Sequence, residues 1–453
     1  MRRNYVRLLP VLLLSLLSGC SLTPQSYHDK ALQDTLAQWH LMQTNAKNLT
    51  YITDLVQDKR LSLLIKEALA NNPTLKQTLI TLKQTYTSYD ITNSARLPDI
   101  ETDFSGSKTE SSDPSYSADI SVSWELDLWR KLSDSSTAAK LNIQSSTLAY
   151  QEAKDILAAN VMRYWLNILL NQQLVDVQQQ RVTLLSSNKN LILNEYQSGL
   201  GNLDDLDSAN STLQKAQSTL QGYKQDLVIA ERKLHLLLGH TEQNTSFNFN
   251  HQFPTILQPL ASFPKQDLAR RPDLQQAYLD IQEKEYSAKA SYKELLPSIS
   301  LTASYADSGL SPSEALFRNP LWTLLGQLTA PIFNGGKLRA QAKSADLDTA
   351  KSYYVYQETL LTAINEVENY LDNETSYAQQ EQYLQQALYS GERSMQNYKE
   401  EYRQGLGTIY ELITAQTNVM DLKVSLLNKK YARLNNRIDL GLALGLGVQN
   451  ENK

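Results

Sequence analysis

Apolar residues along this chain follow two spacings, each used twice and in the same order. In "SYSADISVSWELDLW", beginning at Ser115, the residues Tyr116, Ala118, Ile120, Val122, Trp124, Leu126 and Leu128 alternate with Ser117, Asp119, Ser121, Ser123, Glu125 and Asp127. A spacing of two places the first set on one face of a β-strand and the second on the other. A partner strand carries Ile100, Thr102 and Phe104 opposite Glu101, Asp103 and Ser105. The alternation returns later, where Ile299, Leu301, Ala303 and Tyr305 oppose Ser298, Ser300, Thr302 and Ser304. In a fourth strand Trp322, Leu324, Leu328, Ala330 and Ile332 share a side, with Leu325 interrupting the polar face.

Each strand pair is followed by about 65 residues without a proline, enough for a helix on the order of 100 Å long. Lys131 to Ser198 contains no glycine, and Gly391 is the only one between Gly336 and Gly405. Both runs end in Gly-Leu-Gly, within "EYQSGLGNLDDL" at Glu195 and "EYRQGLGTIYEL" at Glu401. Glycine reaches positive φ without steric cost, so Gly199, Gly201, Gly405 and Gly407 are expected to reverse the chain between two long antiparallel helices. The first returning helix repeats every seven residues: Leu206, Leu213, Leu220, Leu227 and Leu234, with Ala209, Ala216, Tyr223, Ala230 and Leu237 three positions on. Such a repeat implies a left-handed coiled coil. The second begins alike with Leu412, Val419 and Leu426 beside Ala415 and Leu422, then moves to Val424, Leu427, Tyr431, Leu434 and Ile438.

Other markers recur at a nearly constant offset. "NNPTLKQTLITL" at Asn71 is echoed by "RRPDLQQAYLDI" at Arg270, and "ARLPDIETDFSGS" at Ala95 by "ELLPSISLTASYA" at Glu294. Pro73 and Pro272 suit the first turn of a helix, whereas Pro98 and Pro297 cannot continue one. Residues 60–240 and 266–446 therefore read as one unit in tandem. Each holds helices, a β-hairpin at about 98–128 or 297–333, and a long helical hairpin with its tip at 199–201 or 405–407.

The start of the chain differs in character. Arg2, Arg3 and Arg7 precede an apolar run from Leu8 to Leu17, shorter than the ~20 residues a membrane-spanning helix needs, which reads as a secretory signal over residues 1–19. The only cysteine, Cys20, follows Leu17-Ser18-Gly19. That tetrad resembles a bacterial lipoprotein box, which implies lipid modification of Cys20 and a lipid-anchored segment 20–59. With Cys20 acylated, no thiol remains for a disulfide or metal site. Ser21 in place of an aspartate implies the outer membrane. The chain has 43 Lys and Arg against 48 Asp and Glu, so nucleic acid is not an expected partner.

Alternation alone also fits a soluble hairpin. Two details favour a membrane: the strands have the ~9–11 residues that a tilted spanning strand requires, and aromatic residues lie near their ends. Tyr116, Tyr305 and Trp322 are expected at one level and Trp124 at the other. Four strands are too few to close a barrel, since the smallest have about eight, and open edges cannot stay unpaired in lipid. Several chains must then share one barrel, and the long helices, rich in Gln, Ser and Asn, suggest staves around a wet interior.

At these residues the chain resembles the TolC-like outer-membrane efflux channels, in particular their lipoprotein branch. The resemblance rests on "RRPDLQQAYLDI", "LLPSISLTASYA", "WELDLWRKL", "PIFNGGKLRAQ" and "YRQGLGTIYELITAQ" and spans nearly the whole mature chain. It implies a mostly α fold with a small transmembrane β portion: a homotrimer with a twelve-stranded β-barrel on a twelve-helix α-barrel. An equatorial linker would occupy 241–265, around "FNHQFPTILQPLASFPK", and a tail 447–453. It further implies passive export, docking to a periplasmic adaptor and an inner-membrane pump, and no cofactor. In that family acids just past the last turn ring the closed mouth. By resemblance Glu411 matches the first acid, Thr414 stands where a second often is, and Asp204 and Asp205 flank the matching site in the first hairpin. Three Glu411 carboxylates brought together would make the mouth cation-selective and raise at least one of their pKa values. An acid favoured by the helix dipole is the plainer alternative. Tyr402 and Arg403 are expected to bond across hairpins. Some members carry an arginine at the site of Gly407, which this chain lacks.

An enzyme fits poorly. His28, His40, His235, His240 and His251 show no HExxH spacing, and neither GxxxxGK[ST] nor GxSxG occurs. "PIFNGGK" is explained by a strand-to-helix turn. Two further readings stay open: a channel for protein secretion, and a structural coiled-coil lipoprotein. No Met or His cluster points to metal ions as cargo.

Overall fold

The computed structural model describes residues 26–37, 51–56, 58–240, 247, 249, 252–254 and 270–449. The leader, Cys20, most of 241–265 and the end of the tail lie outside the described residues. The first copy contributes α2 (Lys59–Asn71), α3 (Pro73–Ser94), β1 (Asp99–Ser107), β2 (Ser115–Glu125), α4 (Lys131–Gln197) and α5 (Leu203–Leu238) after a short N-terminal helix α1 (His28–Ala37). The second contributes α6 (Pro272–Lys293), β3 (Ser298–Gly309), a one-turn α7 (Pro312–Ala315), β4 (Leu321–Thr329), α8 (Lys337–Arg403) and α9 (Ile409–Ala443). α4 and α8 are both 67 residues long. By contacts the chain forms two compact units, and each takes matching parts of both copies: residues 1–39, 81–147 and 276–358 in one, 40–80, 148–275 and 359–453 in the other. Duplication in sequence is thus not division into two folded halves.

In the first unit the four strands form one antiparallel sheet in the order β1-β2-β3-β4. Side chains directly opposite in a register point to the same face. Ile100 faces Val122, Val122 faces Ala303 and Ala303 faces Leu324, while Ile120 faces Tyr305 and Tyr305 faces Trp322. The apolar set of all four strands is gathered on one side. On the outer strands that side is bare, with Ile100 70 % and Trp322 77 % exposed, whereas on β2 and β3 it is partly covered: Ala118 is buried, Phe317 stacks on Tyr305 and α7 lies against Gly309. On the other side Ser304 bonds Thr323, Ser105 bonds Ser117, and Leu325 lies opposite Thr302.

Three details depart from the sequence expectation. β2 ends at Glu125 rather than Leu128, because the Asp127 carboxylate accepts the amides of Leu132 and Ser133 and starts α4. Ala330 and Ile332 lie beyond the end of β4. Tyr116 and Tyr305 do not share a row, since Tyr116 faces Gly309 while Tyr305 faces Ile120 four residues further along β2. Tyr116 instead lays its ring over Gly106 of β1, opposite it in the register, where an added Cβ would lie 2.9 Å from the ring.

α1 was not visible as an element in the sequence. It is held by the buried Glu285 of α6, whose carboxylate accepts the amides of Tyr27 and His28 and meets His28 Nδ1 at 2.7 Å. Asp34 accepts from Tyr353 and Gln357 of α8. Burial and the Asp34 charge push the Tyr353 phenol up to about 12.

The second unit has an apolar core of Ile52, Leu61, Met162, Leu166, Leu169, Leu234, Ile438 and Leu446. On α5 the positions Leu213, Ala216, Leu220, Ala230 and Leu234 are buried, as the spacing of seven requires. The register change in α9 has a visible cause: Arg433, at the repeat position of Leu227, reaches back to Glu374 at 2.8 Å and Glu381 at 2.9 Å, and Arg437 joins Glu374. Charged side chains at these points displace the apolar stripe to Leu434 and Ile438.

Buried Asp155 of α4 pins the end of the chain. Its carboxylate accepts the amides of Val448 and Gln151, and an added Cβ on Gly447 would lie 3.0 Å from its oxygens. Gly447 O in turn accepts Ile52 N, so one carboxylate orders both terminal segments. Burial raises the Asp155 pKa to about 6. The folded state therefore binds this proton more tightly than the unfolded state, and stability from this group falls as pH rises from the ordinary aspartate range through about 6. Relative to Asp155→Asn, the wild type is expected to be about 1 kcal/mol more stable at pH 5 than at pH 7.5. Denaturant unfolding of both proteins at the two pH values checks this, and parallel pH profiles would contradict it.

Candidate functional site

The two helical tips are built alike. At the first, Leu200 N donates to Glu195 O and Gly199 N to Tyr196 O; at the second, Leu406 N donates to Glu401 O and Gly405 N to Tyr402 O. This pair of bonds closes a helix through a left-handed residue, here Gly199 (φ 72) and Gly405 (φ 71). Only the first glycine of each motif has positive φ. Gly201 and Gly407 serve close approach, since an added Cβ would lie 3.1 Å from Tyr196 N and 3.2 Å from Glu401 Cβ respectively. Between the glycines, Leu200 and Leu406 project into solvent at 84 % and 77 % exposure.

The helix starts that follow are not alike. Asn202 caps α5 by accepting Asp205 N at 2.8 Å. At α9, Thr408 Oγ1 accepts Glu411 N, and Glu411 Oε2 accepts both Thr408 N and Thr408 Oγ1 at 2.8 Å. Glu411 is therefore the return arm of a capping box. These bonds favour its charged form and hold its pKa below the usual glutamate value. The plainer alternative for this acid is thus realised in the single chain. Asp204 is exposed, Thr414 Oγ1 bonds Tyr410 O, and Arg403 lies 4.0 Å from Glu400 on its own helix.

The hairpins meet through polar side chains. Tyr402 OH donates to Glu195 Oε1 at 3.3 Å, and burial together with the Glu195 charge raises the phenol pKa. Tyr410 OH donates to Ser208 Oγ at 2.9 Å beside a small cavity of about 40 Å³ lined by Asp205, Ala209 and Ile413. Farther from the tip, Asn188 Nδ2 donates to Gln416 Oε1 at 2.7 Å, Arg181 pairs with Asp421, Asn167 donates to Tyr431, and Arg163 pairs with Asp439. Asn167, Leu174, Arg181, Asn188 and Glu195 are spaced by sevens along α4, so one heptad stripe of α4 is reserved for the second hairpin. Within the first hairpin the contact is apolar instead, with Leu185 against Leu213 and Ala216.

Of the residues singled out in the sequence, the structure joins Tyr402 to the first hairpin and sets Asp205 beside Tyr410. The partners Glu195, Asn188, Gln416, Ser208 and Tyr410 were missed. Their signal was present as polar residues on an otherwise apolar heptad, but a single helix's periodicity does not say which helix faces it.

The family model described as "Outer membrane efflux protein" matches residues 64–240 and 263–446. The chain is 27% identical over 460 residues to the "Cation efflux system protein CusC" of Escherichia coli O6:H1, covering 98% of this chain and 99% of that one. It is 26% identical over 474 residues to the "Solvent efflux pump outer membrane protein SrpC" of Pseudomonas putida, covering 97% and 98%. The fold is that of the Campylobacter jejuni CmeC outer membrane channel, with a TM-score of 0.84 at 20% identity over 96% of each chain.

The tip geometry has a direct consequence. Gly405→Ala forces a side chain into the left-handed region and is expected to destabilise by about 1 kcal/mol. Gly222→Ala, inside α5 with nothing within 4 Å, is expected to stabilise by about 0.5–1 kcal/mol. Thermal unfolding followed by circular dichroism measures both, and shifts of the same sign would contradict the assignment.

Proposed function

Because the chain belongs to the outer membrane efflux protein family, we propose that three copies form the outer-membrane exit duct of a tripartite pump that expels small solutes. The observation that carries this reading is the sheet: a face that is apolar except at Thr102 and Asp307, and two outer strands whose far edges have no neighbour among the described residues. Backbone groups cannot remain unpaired in lipid, and three such sheets joined edge to edge close a barrel of twelve strands. Cys20 carries the lipid that anchors each copy to the inner leaflet. The duct itself is passive. A periplasmic adaptor connects it to an inner-membrane pump that supplies the energy.

The relatives' names favour efflux over protein secretion or a purely structural role. They name different cargoes, a cation and a solvent, so membership in the family leaves the cargo open. Small drugs or solutes are the class proposed here.

At the closed mouth, Tyr402 on Glu195 and Tyr410 on Ser208 hold the second hairpin against the first. Three Glu411 residues then face the axis, with Asp204 and Asp205 contributed by the other tips. Opening slides the hairpins along their polar seam, where each broken bond is replaced by one to water, while the apolar contacts within each hairpin persist.

Glu411→Ala combined with Tyr402→Phe is expected to raise single-channel conductance in planar bilayers and weaken cation preference. Unchanged conductance and selectivity would remove the gate assignment. Protease added outside intact cells is expected to cut near Glu110 or Glu314. Cleavage only after permeabilisation would mean that the strands do not cross the membrane.

A further inference from the structure

The sheet's apolar face does not stop where the strands do. β2 ends at Glu125, and the turn to α4 then presents Leu128, Trp129 and Arg130 to solvent in succession. Trp129 is 43 % exposed, while its indole N–H donates to Pro297 O at 2.6 Å. Its polar atom is thereby satisfied inside and its ring is left outside, as suits a membrane interface. The matching turn after β4 exposes Ile332 and Phe333 ahead of Lys337.

Arg130 is the unusual member of this turn. It has φ 62, whereas the residue before α8 at the matching position is Gly336 with φ 84. Where one copy uses glycine, the other keeps a long cationic side chain in a left-handed conformation that L-residues avoid. A cation at the start of a helix is also unfavourable to the helix dipole. The Arg130 carbonyl accepts Lys293 Nζ and Asp134 N, as any residue's would; Lys131 pairs with Glu125 and Lys293 with Asp134, but the Arg130 guanidinium has no carboxylate partner among the described residues. The first amides of α4 are taken by Asp127 and are not available to a ligand. Beside the turn is a cavity of about 300 Å³ whose lining mixes Leu128, Trp129, Leu296 and Pro331 with Lys131 and Lys293. The carboxylates Glu125, Asp127 and Glu294 line it too, with Glu125 paired with Lys131 and Asp127 with the first amides of α4.

We propose that this turn is a docking surface for anionic phospholipid at the periplasmic boundary of the membrane. Arg130 binds the phosphodiester, and Leu128 and Trp129 take the upper part of the acyl chains. The occupant follows from two features: the surface continues the apolar face of the sheet, and the exposed turn itself, Leu128-Trp129-Arg130, carries a single charge that is positive and has no carboxylate partner among the described residues. The inference rests on the reading that the strands span the bilayer.

The test uses full-length protein in non-ionic detergent and reads its thermal unfolding. Added phosphatidylglycerol is expected to raise the unfolding temperature of the wild type by several degrees, whereas inorganic phosphate at equal concentration has no such effect. Arg130→Gly relieves the backbone strain, so it folds at least as well as wild type in detergent alone and loses most of the lipid-dependent shift. Arg130→Lys keeps part of it. Equal shifts in wild type and Arg130→Gly overturn the proposal, and so does an equal response to inorganic phosphate. Dissociation of the Arg130→Gly assembly without lipid would assign the surface to a neighbouring copy instead. The share of quenching by brominated phospholipid that is lost in Trp322→Phe reports separately on the strands, because Trp124 and Trp129 remain to be quenched in that variant. If that quenching is present and the Arg130→Gly shift is unchanged, only this proposal fails; if it is absent, the membrane reading fails with it.

Discussion

A β-strand inside a bilayer must have both of its edges hydrogen-bonded, because no water is present to take up an unpaired amide or carbonyl. The sheet of this protein meets that requirement at three of its interfaces and at neither outer edge, since β1 and β4 end the order. Its apolar face, formed by residues such as Ile100, Ile120, Ala303 and Leu324, is equally unsatisfied in water. Both defects are removed together when copies pair edge to edge in a membrane. Each chain supplies two β-hairpins and two long helical hairpins, and in the proposed assembly several chains together complete the barrel.

The helical hairpins combine apolar and polar contacts. Inside the first hairpin, Leu185, Leu213 and Ala216 make an apolar interface that is costly to expose. Between hairpins, hydrogen bonds and ion pairs from Glu195 and Tyr402 near the tip to Arg163 and Asp439 accompany apolar contacts, with Ile413 on the Leu185 cluster and Leu434 and Ile438 in the core shared with Met162 and Leu234. Exposed polar contacts contribute little net stability because water competes for them. The second hairpin adds its own charged element, Arg433 and Arg437 on Glu374 and Glu381, where the first has an apolar residue.

Much of this was legible in the amino-acid order. Period-two alternation gave the strands and their shared face, proline marked helix ends, and Gly199 and Gly405 marked the tips. These are local properties, written in consecutive residues. What was not legible depends on partners distant in sequence. Buried Glu285 looks like one more acid on α6 until Tyr27 and His28 arrive on it. Asp155 acquires its raised pKa only because the tail closes over it. Glu411 was read as a mouth residue only by resemblance to the efflux-channel family. In the isolated chain it closes a capping box, a role that one chain can complete, whereas a ring of carboxylates needs three.

The number of chains in the detergent-extracted assembly bears most directly on the central claim, that the unpaired edges of this sheet are satisfied by other copies. Native mass spectrometry should find three chains per particle, matching a closed twelve-stranded barrel. A particle containing a single chain that still inserts in bilayers would contradict the account.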